Sequence, residues 1–437
     1  MKSKFILSIS LGGIWLAISS YFAVYWAEEI SYFLPSFYVW WVIIGIALLP
    51  GFMMSTMFFS NMMQLKVHKY PDVQEDITIL MCAHNEEKSI VRSIQAIFNQ
   101  QYAGHIRLIV IDNVSDDRTK EIVGEMQKRL CQDYSDQKQP TQDKPKQNRS
   151  LEYVYCRRKG KAFALNHGLK LVCTPFFLTV DADTCLEKHA VQKIMNHIIS
   201  QRSACVAGNL FVQNAKSSLI ARMQNYDYLL SIAAVKRFQG SYRSTLVAQG
   251  AFSAYRTDAV RDAGGWKPVM GEDIVLTYHL LQKGLSSTYE PTAVGYTRVP
   301  ETLRGLYNQR KRWAIGMLEG LSEVPPWRQG TDYSRYFVSM NVCVIYLDLA
   351  FLFGLIPGIL LACLGYYYFV GCLTLVTVGV CLLLYLSMYL YQKKLEIPFR
   401  NSLSGFIGFL FLFQLIQSTA SLQGYFSKLL PKKEAWR

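Results

Sequence analysis

The chain has 437 residues, with 46 Lys and Arg against 32 Asp and Glu, and a hydrophobic fraction of 51%. That length admits one large domain plus membrane segments, or a few soluble domains. The positive excess does not point to nucleic acid, because the basic residues gather beside apolar segments, where they mark a cytoplasmic face and attract anionic lipid heads; the ten cysteines contain no Cys-x-x-Cys pair, which argues against a zinc site or a disulfide framework.

Residues 5–27 and 30–65 carry no charge. A helix crosses the hydrocarbon core in about 20 residues, so residues 1–65 are expected to hold two spans. Lys2 and Lys4 give the first a basic start, but its apolar run exceeds a signal-peptide core and Glu28-Glu29 follow; it reads as a retained anchor. From 66 to 300 the pattern changes. Runs at Ile77–Cys82, Ile106–Asp112, Leu151–Cys156 and Phe176–Val180 read as strands, and Glu87–Phe98 and Arg118–Leu130 as helices. This alternation predicts an α/β domain with a parallel sheet and covering helices. Residues 132–150 are polar and predict a mobile surface insertion. Residues 301–335 read as interfacial helix. Residues 336–427 hold about three further spans, with Tyr366-Tyr367-Tyr368 as an aromatic belt and Asp348 as an intramembrane acid that either faces a channel or packs. The basic tail, 428–437, would fall outside if five spans start inside. Either the last segment, with Gln414, Gln417 and Gln423, is re-entrant or interfacial, or the count is off by one.

Three polar motifs stand inside the central block. Asp181-Ala182-Asp183 follows a buried-looking strand, at the edge where open α/β sheets bind ligands. Two carboxylates at i and i+2 there can serve a divalent cation and a nucleotide diphosphate; the plainer reading is a solvated turn. Glu272-Asp273 supplies a carboxylate able to take a proton. Gln309, Arg312 and Trp313 fall at i, i+3 and i+4, on one helix face. An indole stacks on a pyranose and Arg can brace a diphosphate, although an amphipathic interfacial helix would look similar.

In this order, with Pro300-Glu301-Thr302 before the last, the motifs resemble the signature of processive family 2 glycosyltransferases, closely over 66–320 and in outline across the flanking spans. Within that family the poly-N-acetylglucosamine synthases are most similar. The resemblance implies a GT-A-like nucleotide-sugar domain inserted between transmembrane helices, in the cytoplasm of a multi-pass protein of the cell membrane. It implies that Asp273, beside Glu272, is the base, and that Asp183 binds Mg²⁺ or Mn²⁺. By the same carry-over Ala83, Glu86, Asp112, Lys161, Asp181 and Arg312 contact the nucleotide, while Gln309 and Trp313 hold the acceptor. Two departures stand out. Asn113 and Val114 replace an acid and a glycine after Asp112, and Gln249 stands where relatives place Ser or Cys before a glycine of the acceptor pocket.

The activity implied is transfer of a sugar, N-acetylglucosamine by the nearest resemblance, from a UDP-sugar to a growing β-linked polysaccharide that is then exported. Its partners would be the UDP-sugar, the polysaccharide, membrane lipid and a small membrane accessory subunit. Hyaluronan-, chitin- or cellulose-type synthases and a single-transfer enzyme on a lipid carrier share the chemistry. A non-catalytic nucleotide-binding scaffold would have no need of Asp181, Asp183, Asp273 and Trp313 together.

Overall fold

The computed structural model describes residues 1–136 and 149–430. Strands form where the apolar runs are buried on both sides, as a parallel sheet covered by helices requires. They are β1 (Ile77–Ala83), β2 (Ile106–Asp112), β3 (Arg149–Tyr155), β4 (Phe176–Val180), β5 (Cys185–Leu186), β6 (Cys205–Val212), β7 (Phe252–Arg256) and β8 (Ser287–Thr297). The order across the sheet is β3-β2-β1-β4-β7-β6-β8-β5. Strands β1 to β4 run parallel, but β7 lies antiparallel to both β4 and β6, and β5 antiparallel to β8. The expected all-parallel sheet is therefore corrected to a mixed one. Its second half is set by long-range pairing that strand-helix alternation does not report.

The helices are α1 (Lys2–Ser31), α2 (Ser36–Met62), α3 (Ile90–Phe98), α4 (Thr119–Asp136), α5 (Lys161–Leu171), α6 (Ala190–Gln201), α7 (Leu219–Asp227), α8 (Val235–Ser241), α9 (Thr257–Asp262), α10 (Glu272–Gln282), α11 (Leu303–Glu323), α12 (Asp332–Cys363), α13 (Cys372–Lys394) and α14 (Leu403–Leu429). Alternate strand residues feed two apolar layers. Ile79, Leu108, Ile94 and Ile194 meet on one face of the sheet, and Leu80, Ile109, Leu165 and Trp266 on the other. The expected insertion at 132–150 is narrower, since α4 continues to Asp136 and β3 begins at Arg149. Arg149 is buried because its guanidinium satisfies the carbonyls of Gly104, Gln100 and Tyr102. The remainder of that segment, 137–148, and the tail from 431 lie outside the described residues.

Among the described residues, five helices are long and apolar enough to cross a membrane: α1, α2, α12, α13 and α14. Ile14, Ile18 and Phe22 on α1 are each more than half exposed, which suits contact with lipid. Asp348 on α12 is 2% exposed. Its two carboxylate oxygens accept hydrogen bonds from Ser418 and Tyr425 of α14, at 2.7 and 2.8 Å. A carboxylate satisfied in this way joins two helices, and the packing alternative accounts for it.

Candidate active site

The C-terminal ends of β1, β2 and β4 open on a cavity of about 620 Å³ lined by Asn85, Glu86, Glu87, Lys88, Ser89, Asp116, Asp117, Asp183 and Arg298. The β1 and β2 loops are tied together there. The Asn113 amide N–H donates to the Ala83 carbonyl at 2.8 Å, and the Glu86 N–H to Thr119 Oγ1 at 2.9 Å. Asp112 is 1% exposed; its carboxylate accepts from the Ser115 N–H at 2.9 Å and from Tyr153 Oη at 2.7 Å. It shapes the loop from within. Asn113 accounts for its own departure from the family pattern. Its side chain donates to the Arg158 carbonyl and accepts from the Gly160 N–H, at 2.8 and 2.7 Å, joining this loop to the start of α5. Val114 occupies the left-handed region at φ 61°, which a branched side chain disfavours and a glycine would not.

Asp181 and Asp183 follow β4 directly. Burial raises the Asp183 carboxyl to about 7, helped by the negative charges of Asp181 and Glu86. Burial likewise raises Glu86, which accepts a short hydrogen bond from Ser89 Oγ. A divalent cation bound beside Asp183 would offset the repulsion it feels from Asp181 and Glu86. Among the described residues no group of three or more His, Cys, Asp and Glu side chains is placed to hold a metal ion. A site using one or two carboxylates, with phosphate and water completing the shell, matches the habit of Mg²⁺.

Asp181 is bound on its other side by Lys161 Nζ at 2.6 Å. Burial works against the Lys161 charge, but Asp181 and Glu272 outweigh it and hold the ammonium above its ordinary range. Gly250 makes this approach possible: a Cβ there would lie 2.9 Å from Lys161 Nζ. The Gly250 N–H donates to Asp273 Oδ2 at 3.3 Å, and the Ile274 N–H to Oδ1 at 2.8 Å. Asp273 thus sits in the first turn of α10, where the helix dipole favours a carboxylate. Its neighbour Glu272 differs. It is 7% exposed, and burial followed by the Asp273 charge raises it to about 8, against the pull of Lys161. At neutral pH Glu272 is chiefly a neutral acid. Gln249 is half-buried; its Nε2 donates to the Gly208 carbonyl at 2.7 Å.

Helix α11 is pressed onto α10. A Cβ on Gly271 would meet Gly316 Cα at 2.5 Å, so only two glycines allow the backbones this close. On α11 Trp313 is 42% exposed, Arg312 is exposed, and the Gln309 amide oxygen is buried without a hydrogen bond. Sequence reasoning passed over Arg298 in the cavity, Lys236, and the buried Arg310 inside Gln309-Arg310-Lys311-Arg312-Trp313. Lys236 on α8 is 6% exposed, and burial lowers its ammonium to about 7 against the pull of Asp273. Arg310 had a signal, since it stands three residues before Trp313 and shares its side of the helix.

Two family descriptions match the chain: Glycosyl transferase family 2 over residues 78–264 and Glycosyl transferase family group 2 over 176–390. Residues 78–390 of the chain therefore match glycosyl transferase family 2 domains. Its family 2 relatives include a poly-beta-1,6-N-acetyl-D-glucosamine synthase of Staphylococcus aureus (strain COL), 30% identical over 266 residues, which are 59% of this chain and 60% of that protein. The enzyme of the same name from Staphylococcus epidermidis is 29% identical over 55% of this chain and 54% of its own. The match therefore spans less than two thirds of these relatives. A similar fold is seen in a mannosyltransferase of Pyrobaculum calidifontis solved with GDP-Man and Mn²⁺, at TM-score 0.57 and 16% identity over 90% of this chain and 99% of that one.

Proposed function

We propose that this family 2 glycosyltransferase is a membrane-embedded, processive polysaccharide synthase. It would transfer N-acetylglucosamine from its UDP-sugar to a growing β-linked chain and pass the product across the membrane. The observation that carries this reading is the joining of both acid motifs through Lys161 and Gly250. Asp181 lies 2.6 Å from Lys161 Nζ, and the Gly250 N–H lies 3.3 Å from Asp273. Donor-side and acceptor-side chemistry then meet at one sheet end.

In this reading Glu86, Asp112 and the Ala83 loop wall the nucleotide, with Lys161 and Asp181 beside the diphosphate and Arg312 able to swing onto it. Asp183 would hold Mg²⁺ or Mn²⁺, which offsets the charge that builds on the departing UDP. Asp273 takes the proton of the acceptor hydroxyl, whose oxygen attacks the anomeric carbon from the face opposite UDP. The C–O bond to UDP breaks with its electron pair, and the α-linked donor becomes a β-linked product. Gln249, Gln309 and Trp313 would orient the acceptor. The five apolar helices suit a multi-pass protein with this domain in the cytoplasm, where nucleotide sugars are found.

Membranes carrying the protein, incubated with individual UDP-sugars and Mg²⁺, test this directly. UDP release with UDP-N-acetylglucosamine, and a product cleaved by a poly-N-acetylglucosamine hydrolase, are expected. Turnover of another sugar into polymer would move the enzyme to a hyaluronan-, chitin- or cellulose-type synthase. A single sugar on a lipid carrier would remove processivity, and UDP binding without release would leave a scaffold.

A further inference from the structure

Arg310 is absorbed by none of these roles. It is 3% exposed, whereas Arg312, two residues along, faces outward. Its Nη2 lies 2.7 Å from Asp227 Oδ2, a contact of opposite charges without the alignment of a hydrogen bond, and the two side chains are 3% and 6% exposed. Its guanidinium carbon stands 4.1 Å from the Trp313 ring centroid and 5.1 Å from that of Phe413. Three elements therefore meet at one cation. Asp227 closes α7 and leads into a π-helical segment, Tyr228–Ala234; Phe413 ends another of the four π-helical segments among the described residues, Phe409–Phe413, within α14. Such turns are rare and collect at functional sites. Tyr228, the first residue of that segment, is buried within reach of the charges of Arg310, Asp227, Asp183 and Asp181.

Stability alone does not explain a buried ion pair, because apolar residues of similar size often stabilise as well or better. Geometry does. A guanidinium is planar and stacks on an aromatic face in a way an ammonium does not. Held by Asp227, it becomes a fixed surface under the Trp313 indole, while the ring remains 42% exposed. We infer that the Asp227–Arg310 pair is a positioning device that sets the Trp313 ring for the acceptor sugar, and so governs acceptor affinity but not donor binding. The inference rests on the reading of Trp313 as the acceptor platform.

The test uses full-length protein in detergent, UDP-N-acetylglucosamine, and a short β-linked N-acetylglucosamine oligosaccharide as acceptor, with wild-type turnover as the control for the function itself. Asp227→Asn and Arg310→Gln are expected to raise the acceptor KM about tenfold or more while UDP affinity stays within about twofold. Arg310→Lys, which keeps the charge but loses the planar face, should fall between. On a Trp313→Ala background the same substitutions should add nothing to the acceptor KM, the mark of residues acting through one another. Changes confined to folded yield and kcat, or full additivity with Trp313→Ala, would overturn the inference. If Trp313→Ala itself leaves the acceptor KM unchanged, the platform reading fails and takes the inference with it. A raised KM in Trp313→Ala with none in the pair variants sinks the inference alone. Arg310→Lys, the mildest change, decides the matter if Asp227→Asn does not fold.

Discussion

Asp183 carries two opposed demands, burial and charge. An exposed aspartate ionises near 3.9, but here burial, Asp181 and Glu86 raise it to about 7. Between those values the folded, metal-free chain keeps a proton that the unfolded chain has lost. Ionising Asp183 therefore counts against the fold as pH rises through 7. Because a bound cation must displace that proton, its affinity should climb about tenfold per pH unit up to 7 and level off above it. Calorimetric titration of UDP with Mg²⁺ across pH 5.5–8.5 (roughly the stable range) checks this. Asp183→Asn should flatten the profile, and a flat wild-type profile would place the cation elsewhere. The neighbouring pair separates by the same logic. Asp273→Asn should cut transfer by about 10²–10⁴ with UDP binding intact. Glu272→Gln mimics the protonated acid that burial already favours, so its loss should stay under about tenfold. Equal losses in the two variants would show that the base is not Asp273 alone.

Elements carry the next level. The runs at Ile106–Asp112 and Phe176–Val180 were legible to the residue, because strands buried on both faces leave largely apolar sequence, broken here only by Arg107, Asp112 and Thr179. β6 and β7 were not read. They include Asn209, Gly208 and Ser253, and their antiparallel pairing depends on partners far along the chain. The acid motifs were legible as motifs; their meeting through Lys161 and Gly250 was not, since no sequence spacing brings residues 161, 181, 250 and 273 together. Asp348 shows the reverse case. Its sequence position allowed a channel role, and its hydrogen bonds from Ser418 and Tyr425 indicate a helix joint. Asp348→Ala removes the acceptor of the Ser418 and Tyr425 hydroxyls, at a cost of about 1–3 kcal/mol each if they stay buried. Lower folded yield and a lower melting midpoint are expected, with unchanged polymer output per folded molecule. A fall in specific output at normal yield would restore the channel role.

At the scale of the whole molecule, α11 is one of the pieces that tie the sheet to the apolar helices. Its inner side touches α10 at Gly271 and Gly316. Its other side lies on α14, where Tyr307 Oη donates to the Thr419 carbonyl at 3.3 Å and a Cβ on Gly424 would meet the Lys311 carbonyl at 2.8 Å. Between these contacts stand Arg310 and Trp313. A displacement of α14 is thus passed to the Arg310–Trp313 stretch through backbone, which cannot give way as a long side chain can. Gly424→Val forces such a displacement. Asp181, Asp183 and Lys161 belong to the sheet side and should keep their geometry, so UDP affinity should hold within about twofold. Polymer output should fall by about tenfold to 10²-fold, the range expected when a reacting hydroxyl is misplaced by a fraction of an ångström to one ångström. Measuring UDP affinity, polymer output and folded yield of this one variant distinguishes three cases. Loss of yield alone marks a packing defect, parallel loss of affinity and output marks a disturbed sheet, and loss of output alone marks coupling between the apolar helices and the site.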